Sequence, residues 1–167
     1  MDDDELQTRA AAALLLTLYG SEGESRMGSK ALADIGGSGG AAFTGVMMTC
    51  ALAVANVIRC TDPEDRPADV DLARIVQAEG VELRDDHPGL NAVRCIVSCA
   101  NGDVPLAADI VGTYVDRVEI HGHDPRAINE VAKFAAAMLT LGRSIVQALD
   151  PDQTVTKLHA AYADYDR

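Results

Sequence analysis

The sequence predicts an all-α protein, a compact bundle of six or seven helices. Aromatic residues make up only 4% of the chain and Trp is absent, so the core must be built from Ala, Val, Leu, Ile and Met. Such a core favours close helix packing, because strands are enriched in aromatic and β-branched residues. Two long apolar segments, 41–59 and 125–149, are predicted to be the core helices. At 167 residues the chain fits one helical domain, 1–167.

Helix breakers and caps place the other elements of the N-terminal half. Leu6–Tyr19 is predicted as the first helix, with Gly20 directly after its end. The small and polar segment 21–30 and the proline-containing segment 61–67 are expected to be flexible loops. A short helix is then expected over 68–79.

The segment 88–100 admits two interpretations. Pro88 suits the first turn of a helix, and Gly102 suits the position just after its end. Every second residue from Val93 to Cys99 is Val or Cys, as in a strand, and Asn101-Gly102 is a strong hairpin pair, which gives an α+β alternative. We prefer the helix, because Val104-Pro105 would fit badly in a return strand.

The segment 125–149 carries the clearest helical signal. Asp124-Pro125 supplies an N-cap followed by a first-turn proline. The apolar positions alternate steps of three and four residues, and they are Ile128, Val131, Ala135, Met138, Gly142, Ile145 and Leu149. Asp150-Pro151 ends this helix and begins a last one, whose inward face is Val155, Leu158, Tyr162 and Tyr165.

The formal net charge of the chain is −12. We expect no nucleic-acid partner, because affinity for phosphate backbones comes from clustered Lys and Arg. The acidic residues are spread along the chain, a distribution that favours a role in solubility. The N-terminal sequence Asp2-Asp3-Asp4-Glu5 is the reverse of a basic signal-peptide start, so we expect a cytoplasmic protein with reduced Cys thiols.

The stretch 36–58 is the most distinctive in the chain, since several glycines are followed by a long run without charge. Gly37 to Ala42 fits a dinucleotide-binding glycine pattern, but the residues before it make a poor strand and no series of βα units follows. The uncharged run 41–58 has the length of a membrane span, but Ala, Gly and Thr dilute its hydropathy and no aromatic belt flanks it. We therefore expect a buried helix, with neither a nucleotide cofactor nor a membrane partner.

Small residues recur at every fourth position of this stretch, at Gly37, Ala41, Gly45, Thr49 and Ala53. Such a row lets two helix backbones approach closely. We call these five residues the interaction ridge. Its partner is either another helix of the same chain, such as the one that carries Ala135 and Gly142, or a second subunit.

Candidate chemical sites are few. Cys95 and Cys99 could meet His121 and His123 in a metal site, but their spacing matches no common zinc pattern, so we expect no metal and no cofactor. A pocket between the core helices could be lined by Met47, Met48, Cys50, Asn56, Cys95 and Cys99. No catalytic motif is present, which argues against an enzyme.

Three functions follow from these observations. The leading hypothesis is a helical protein–protein interaction or regulatory protein that self-associates, as a homodimer or larger homo-oligomer. The alternative is a helical protein or enzyme that binds a small molecule or metal in the pocket described above. The third is an acidic decoy that binds a basic partner, an association that would weaken steeply with salt.

Overall fold

The computed structural model describes residues 3–61, 87–122 and 124–150. Within these ranges the chain forms six helices and no strand, which confirms the all-α prediction. In chain order they are α1 (Asp3–Tyr19), α2 (Glu22–Gly36), α3 (Gly40–Cys60), α4 (Pro88–Ala100), α5 (Val104–His121) and α6 (Pro125–Leu149). The expected helix over 68–79, the last helix after Pro151 and nearly all of the expected loop 61–67 lie outside the described residues.

The two predicted core helices occupy the centre of the bundle. α3 packs against α2, α4, α5 and α6, and α6 packs against α1, α3, α4 and α5. They approach closely at Gly142, where a Cβ atom would lie 3.0 Å from Val54 Cγ2 and 3.5 Å from Cys50 Sγ. Ala135 and Gly142 were the two α6 positions proposed to face the ridge. Gly142 does contact α3, at Cys50 and Val54, which directly follow the ridge residues Thr49 and Ala53.

The prediction of a flexible loop at 21–30 is wrong, because α2 begins at Glu22. Ser21 and Glu24 form a capping box: Ser21 Oγ accepts from Glu24 N at 3.3 Å, and Glu24 Oε2 accepts from Ser21 N at 3.1 Å. One of the two glycines in this segment, Gly28, is buried inside the helix. A Cβ atom there would lie 2.4 Å from Ala13 O, so the missing side chain lets α1 and α2 pack closely.

The α+β alternative for 88–100 is also wrong. His87 caps α4, since its Nδ1 accepts from Gly89 N at 3.0 Å, and Pro88 lies in the first turn. Gly102 adopts a φ of 82° directly after Asn101, and Asp103 N donates to Ser98 O at 2.8 Å. The Asn-Gly pair therefore ends a helix with a left-handed glycine, as the helical interpretation predicts.

Polar contacts connect the ends of the helices. Tyr19 Oη donates to Asp150 Oδ2 at 3.1 Å, and this joins the last residue of α1 to the residue after α6. Arg143 Nη1 donates to Thr17 O at 3.0 Å. α2 packs mainly against α1 and α3, and it stands apart from α6. The space between α2 and α6 is consequently left unfilled by these two helices.

Candidate functional site

An apolar cavity of about 640 Å³ lies between α2, α3, α5 and α6. Its walls are mainly aliphatic side chains and small residues, joined by two aromatic rings and one carboxylate. They include Leu32 and Gly36 of α2, Phe43, Val46 and Met47 of α3, Val115 and Val118 of α5, and Val131, Ala135 and Leu139 of α6. The cavity is open to solvent along α6, where Ile128 is 52% exposed.

A stacked aromatic pair supports one wall of the cavity. The Tyr114 ring, which lines the cavity, stacks on Phe134 with centroids 4.1 Å apart and an interplanar angle of 11°. Tyr114 Oη accepts from Asn91 Nδ2 at 2.8 Å, and the Arg117 guanidinium lies 5.1 Å from the Tyr114 ring centroid. Because the ring is fixed on both faces and at its hydroxyl, this wall is preorganised.

Of the lining residues within 3–61, 87–122 and 124–150, only Glu119 and Tyr114 carry ionisable groups. Glu119 lies at the end of the cavity where α3 begins, since a Cβ atom at Gly40 would be 3.0 Å from Glu119 Oε1. Because Glu119 lies beside the first residue of α3, its carboxylate is next to the positive end of that helix, where Gly39 provides no side-chain cap. This end of the cavity therefore carries a negative side chain next to bare backbone amides.

A smaller polar compartment of about 190 Å³ adjoins the other end of the cavity. The two spaces share Ser29 and Leu139 in their walls. The remaining walls of the polar compartment are formed by Thr17, Ser25, Thr140, Arg143, Ser144 and Gln147. An apolar space thus continues into one that contains hydroxyl groups and a guanidinium group.

The interaction ridge does not form one continuous helix face. Gly37 is the C-cap residue of α2, and the chain turns through residues 37–39 before α3 begins at Gly40. Ala41 and Gly45 are exposed, Thr49 is half-buried and Ala53 is buried. The row of small residues therefore passes from solvent into the core along α3, because positions four residues apart drift around the helix at 3.6 residues per turn.

The predicted pocket residues occupy different places in the bundle. Met47 lines the cavity, and Met48 and Asn56 are half-buried elsewhere on α3. Cys50 and Cys95 lie in the core, where their sulfur atoms approach Met138 O at 4.0 Å and Ala107 O at 3.8 Å. The structure therefore places Met47 alone of this set in the wall of the cavity.

The buried thiols differ in their protonation behaviour. Burial raises the pKa of Cys50 to about 12. The hydrogen bond with Cys99 and burial raise the pKa of Cys95 well above its ordinary range. The hydrogen bond from Cys95 and the charge of Arg59 lower the pKa of Cys99, whose burial acts in the opposite direction. Arg59 is held nearby because it donates to Cys99 O at 3.0 Å and to Ala100 O at 3.1 Å.

The candidate metal ligands are only partly described. Cys95 and Cys99 lie on α4, His121 is the last residue of α5, and His123 falls outside the described residues. In ranges 3–61, 87–122 and 124–150, no group of three or more His, Cys, Asp or Glu side chains is arranged to hold a metal ion.

Sequence reasoning missed the part of the cavity that α2 builds. Leu32 and Gly36 line it only because 22–36 is a helix. The capping-box sequence Ser21-x-x-Glu24 was the available signal. Ile128, Val131 and Ala135 were correctly placed on one face of α6, but this part of the face borders the cavity, whereas Met138 and Ile145 further along the same face are fully buried in the core.

Comparisons with protein-family models, with curated proteins and with solved structures give no match. One helix of the described ranges, α3, has the length and composition of a membrane span, with a mean hydropathy of 1.9. Half of the apolar segment of α3 is buried inside the bundle. The core helix of a water-soluble protein can have the same length and composition. The fold and the cavity define the molecule as a helical bundle with an apolar cavity between its helices.

Proposed function

We propose that this protein binds an apolar small molecule in the cavity between α2, α3, α5 and α6. One observation supports this most directly, the size of the cavity combined with its almost wholly apolar wall. Ligand pockets in proteins span roughly 300–1,000 Å³ and are lined mainly by apolar side chains with few polar groups. Helical bundles build such sites between facing helices.

Packing energetics favour an occupied cavity. Protein interiors are close-packed, and a wall without neighbouring atoms loses its dispersion contacts. A bound apolar molecule restores those contacts and removes apolar wall from water. The ligand is therefore expected to raise the thermal midpoint of unfolding in proportion to the logarithm of its concentration above the dissociation constant.

The test is titration of the full chain with Nile red, followed by its fluorescence. Ala135→Phe adds a ring to the cavity wall, and Ala108→Phe adds the same ring at an exposed position of α5 outside the cavity. We expect saturable binding to the parent chain and to Ala108→Phe, and binding at least about tenfold weaker to Ala135→Phe with its helicity retained. Equal binding by both variants would exclude the cavity as the site.

Self-association is the second candidate function, and the exposed half of the ridge supports it. Ala41 and Gly45 face solvent, and apart from the adjacent residues and backbone of α3 itself, no atom of the described ranges lies within 4 Å of a Cβ atom built at Gly45. A second copy of α3 could therefore pack closely against this face. Light scattering after size exclusion tests the proposal: we expect a dimer at micromolar concentration and a monomer for Gly45→Leu. A monomeric parent chain at that concentration would contradict it.

A further inference from the structure

Arg143 is the one basic residue among the described residues that line the polar compartment. Its guanidinium is half-buried in the polar compartment and makes no ion pair with any residue of the described ranges. It donates to Thr17 O at 3.0 Å and, with the Gln147 amide turned to accept, to Gln147 Oε1 from Nη2 and Nε at 3.0 and 3.3 Å. One N–H on Nη1 and one on Nη2 of Arg143 remain without an acceptor in the described ranges. A carboxylate can accept from this pair in bidentate geometry.

Two hydroxyl groups of the same compartment also lack partners. Ser29 and Thr140 make no hydrogen bond within the described residues, and both line the compartment together with Arg143. Ser29 also lines the apolar cavity. Uncommitted donors therefore stand at the place where the apolar space meets the polar one.

We propose that the ligand is an amphiphile with a single carboxylate head and an unbranched apolar tail. This inference rests on the proposed function and specifies its ligand. The carboxylate binds Arg143 with the Ser29 and Thr140 hydroxyl groups, and the tail lies in the apolar cavity. A single carboxylate matches the single guanidinium, whereas a doubly charged phosphate would keep an uncompensated charge in a protein of net charge −12.

The charges at the two ends of the cavity fix the orientation of the ligand. Glu119 lies at the end near the α5–α6 turn, beside Gly40, where its negative charge offsets the positive end of α3 and leaves an anion no net attraction. Arg143 lies at the opposite end, fifteen residues along α6 from Ile128, or about 22 Å at the helical rise. A tail that starts at Arg143 therefore has room to extend along α6 towards Ile128.

The experiment uses the full chain and three probes with the same tail below their micellar concentrations: dodecanoate, dodecanol and dodecylamine. Dissociation constants are measured by calorimetry. We expect dodecanoate to bind most tightly of the three. Octanoate, a fourth probe with a shorter tail, should bind more weakly than dodecanoate, by up to about fourfold for each buried methylene removed. Arg143→Gln should weaken dodecanoate on the order of tenfold and leave dodecanol unchanged.

The control Arg126→Gln removes the same charge at an exposed position in the first turn of α6 and should change none of these constants. Arg143→Lys should retain part of the affinity, since it keeps the charge and loses the bidentate geometry. Because Arg143 also holds the end of α1, Thr140→Val serves as a second variant that should weaken dodecanoate severalfold and leave dodecanol unchanged.

Three results would overturn the proposal in distinguishable ways. Equal affinity for dodecanoate and dodecanol, unaffected by Arg143→Gln, would refute the carboxylate head and leave the apolar site intact. Tighter binding of dodecylamine would place the head group at Glu119 instead. Absence of binding by all three probes, together with no binding of Nile red, would refute the proposed function itself.

Discussion

Replacing Gly28 with alanine adds one methyl group where α1 and α2 pack closely. The new Cβ atom would lie 2.4 Å from Ala13 O, 2.5 Å from Thr17 Oγ1 and 2.8 Å from Thr17 N. Two of these three atoms belong to the backbone of α1 and cannot move by a side-chain rotation. The helices must therefore separate by about 1 Å to reach the ordinary contact distance of 3.4 Å.

The expected change in the free energy of unfolding combines a loss from packing with a smaller gain from helix propensity. Overpacking costs about 1–3 kcal/mol, and the upper end applies here because the obstructing atoms are backbone atoms. A gap of 0.5–1 Å also forfeits roughly a quarter to a half of the dispersion energy of each contact along the interface. Alanine in a helix interior returns about 1 kcal/mol relative to glycine. We therefore expect a net loss of about 2 kcal/mol in the free energy of unfolding.

Gly112→Ala is the matched control, because this glycine lies inside α5 and, apart from the adjacent residues and backbone of α5 itself, no atom of the described ranges is within 4 Å of its Cβ position. It should stabilise the protein by up to about 1 kcal/mol. Urea unfolding followed by circular dichroism measures both variants, with the m value checked for constancy. A Gly28→Ala protein as stable as the parent would refute the close approach of α1 and α2.

Two further predictions concern buried polar groups and thiols. Tyr19→Phe should lower the free energy of unfolding by about 1–3 kcal/mol at pH 7 in urea titrations, because Asp150 is 4% exposed and loses a donor. Burial and the contact with Asp150 raise the pKa of Tyr19 in the folded protein. Because the tyrosine of the unfolded chain ionises first, the stability of the parent should decline above about pH 10. This decline should be smaller in Tyr19→Phe, and an identical pH profile of the two proteins would contradict the prediction. A disulfide reagent should modify one thiol of the native protein rapidly, Cys60, since the other three are buried; rapid reaction of Cys50 would contradict the burial of α3.

The elements that sequence reasoning placed correctly have strong local signals. The α6 boundaries Pro125–Leu149 match the predicted segment 125–149, because Asp124 caps the helix and its apolar period is unbroken. α3 extends one residue beyond the predicted 41–59 at each end. α2 was missed because its glycines and polar residues lower helix propensity, and tertiary packing against α1 overrides that local preference.

The cavity could not be predicted, because it depends on distances between helices. The apolar face of α6 containing Val131 and Ala135 predicts burial against a neighbour; both residues do pack against the core, yet both also border the open cavity. That space exists because α2 packs on α1 and α3 and stands apart from α6. Periodicity shows which side of a helix avoids water, and it contains no information on whether protein atoms or a ligand cover that side.

α3 places the two candidate functions on opposite sides of one helix. At 3.6 residues per turn, Phe43, Val46 and Met47 point towards the cavity, whereas Ala41 and Gly45 point away from it. Self-association through the outer face therefore leaves the cavity wall intact, and both functions can operate in one molecule. Gly45→Leu should abolish the dimer with Nile red affinity unchanged. Loss of both together would mean that a second copy shapes the cavity, and the ligand site would then belong to the dimer.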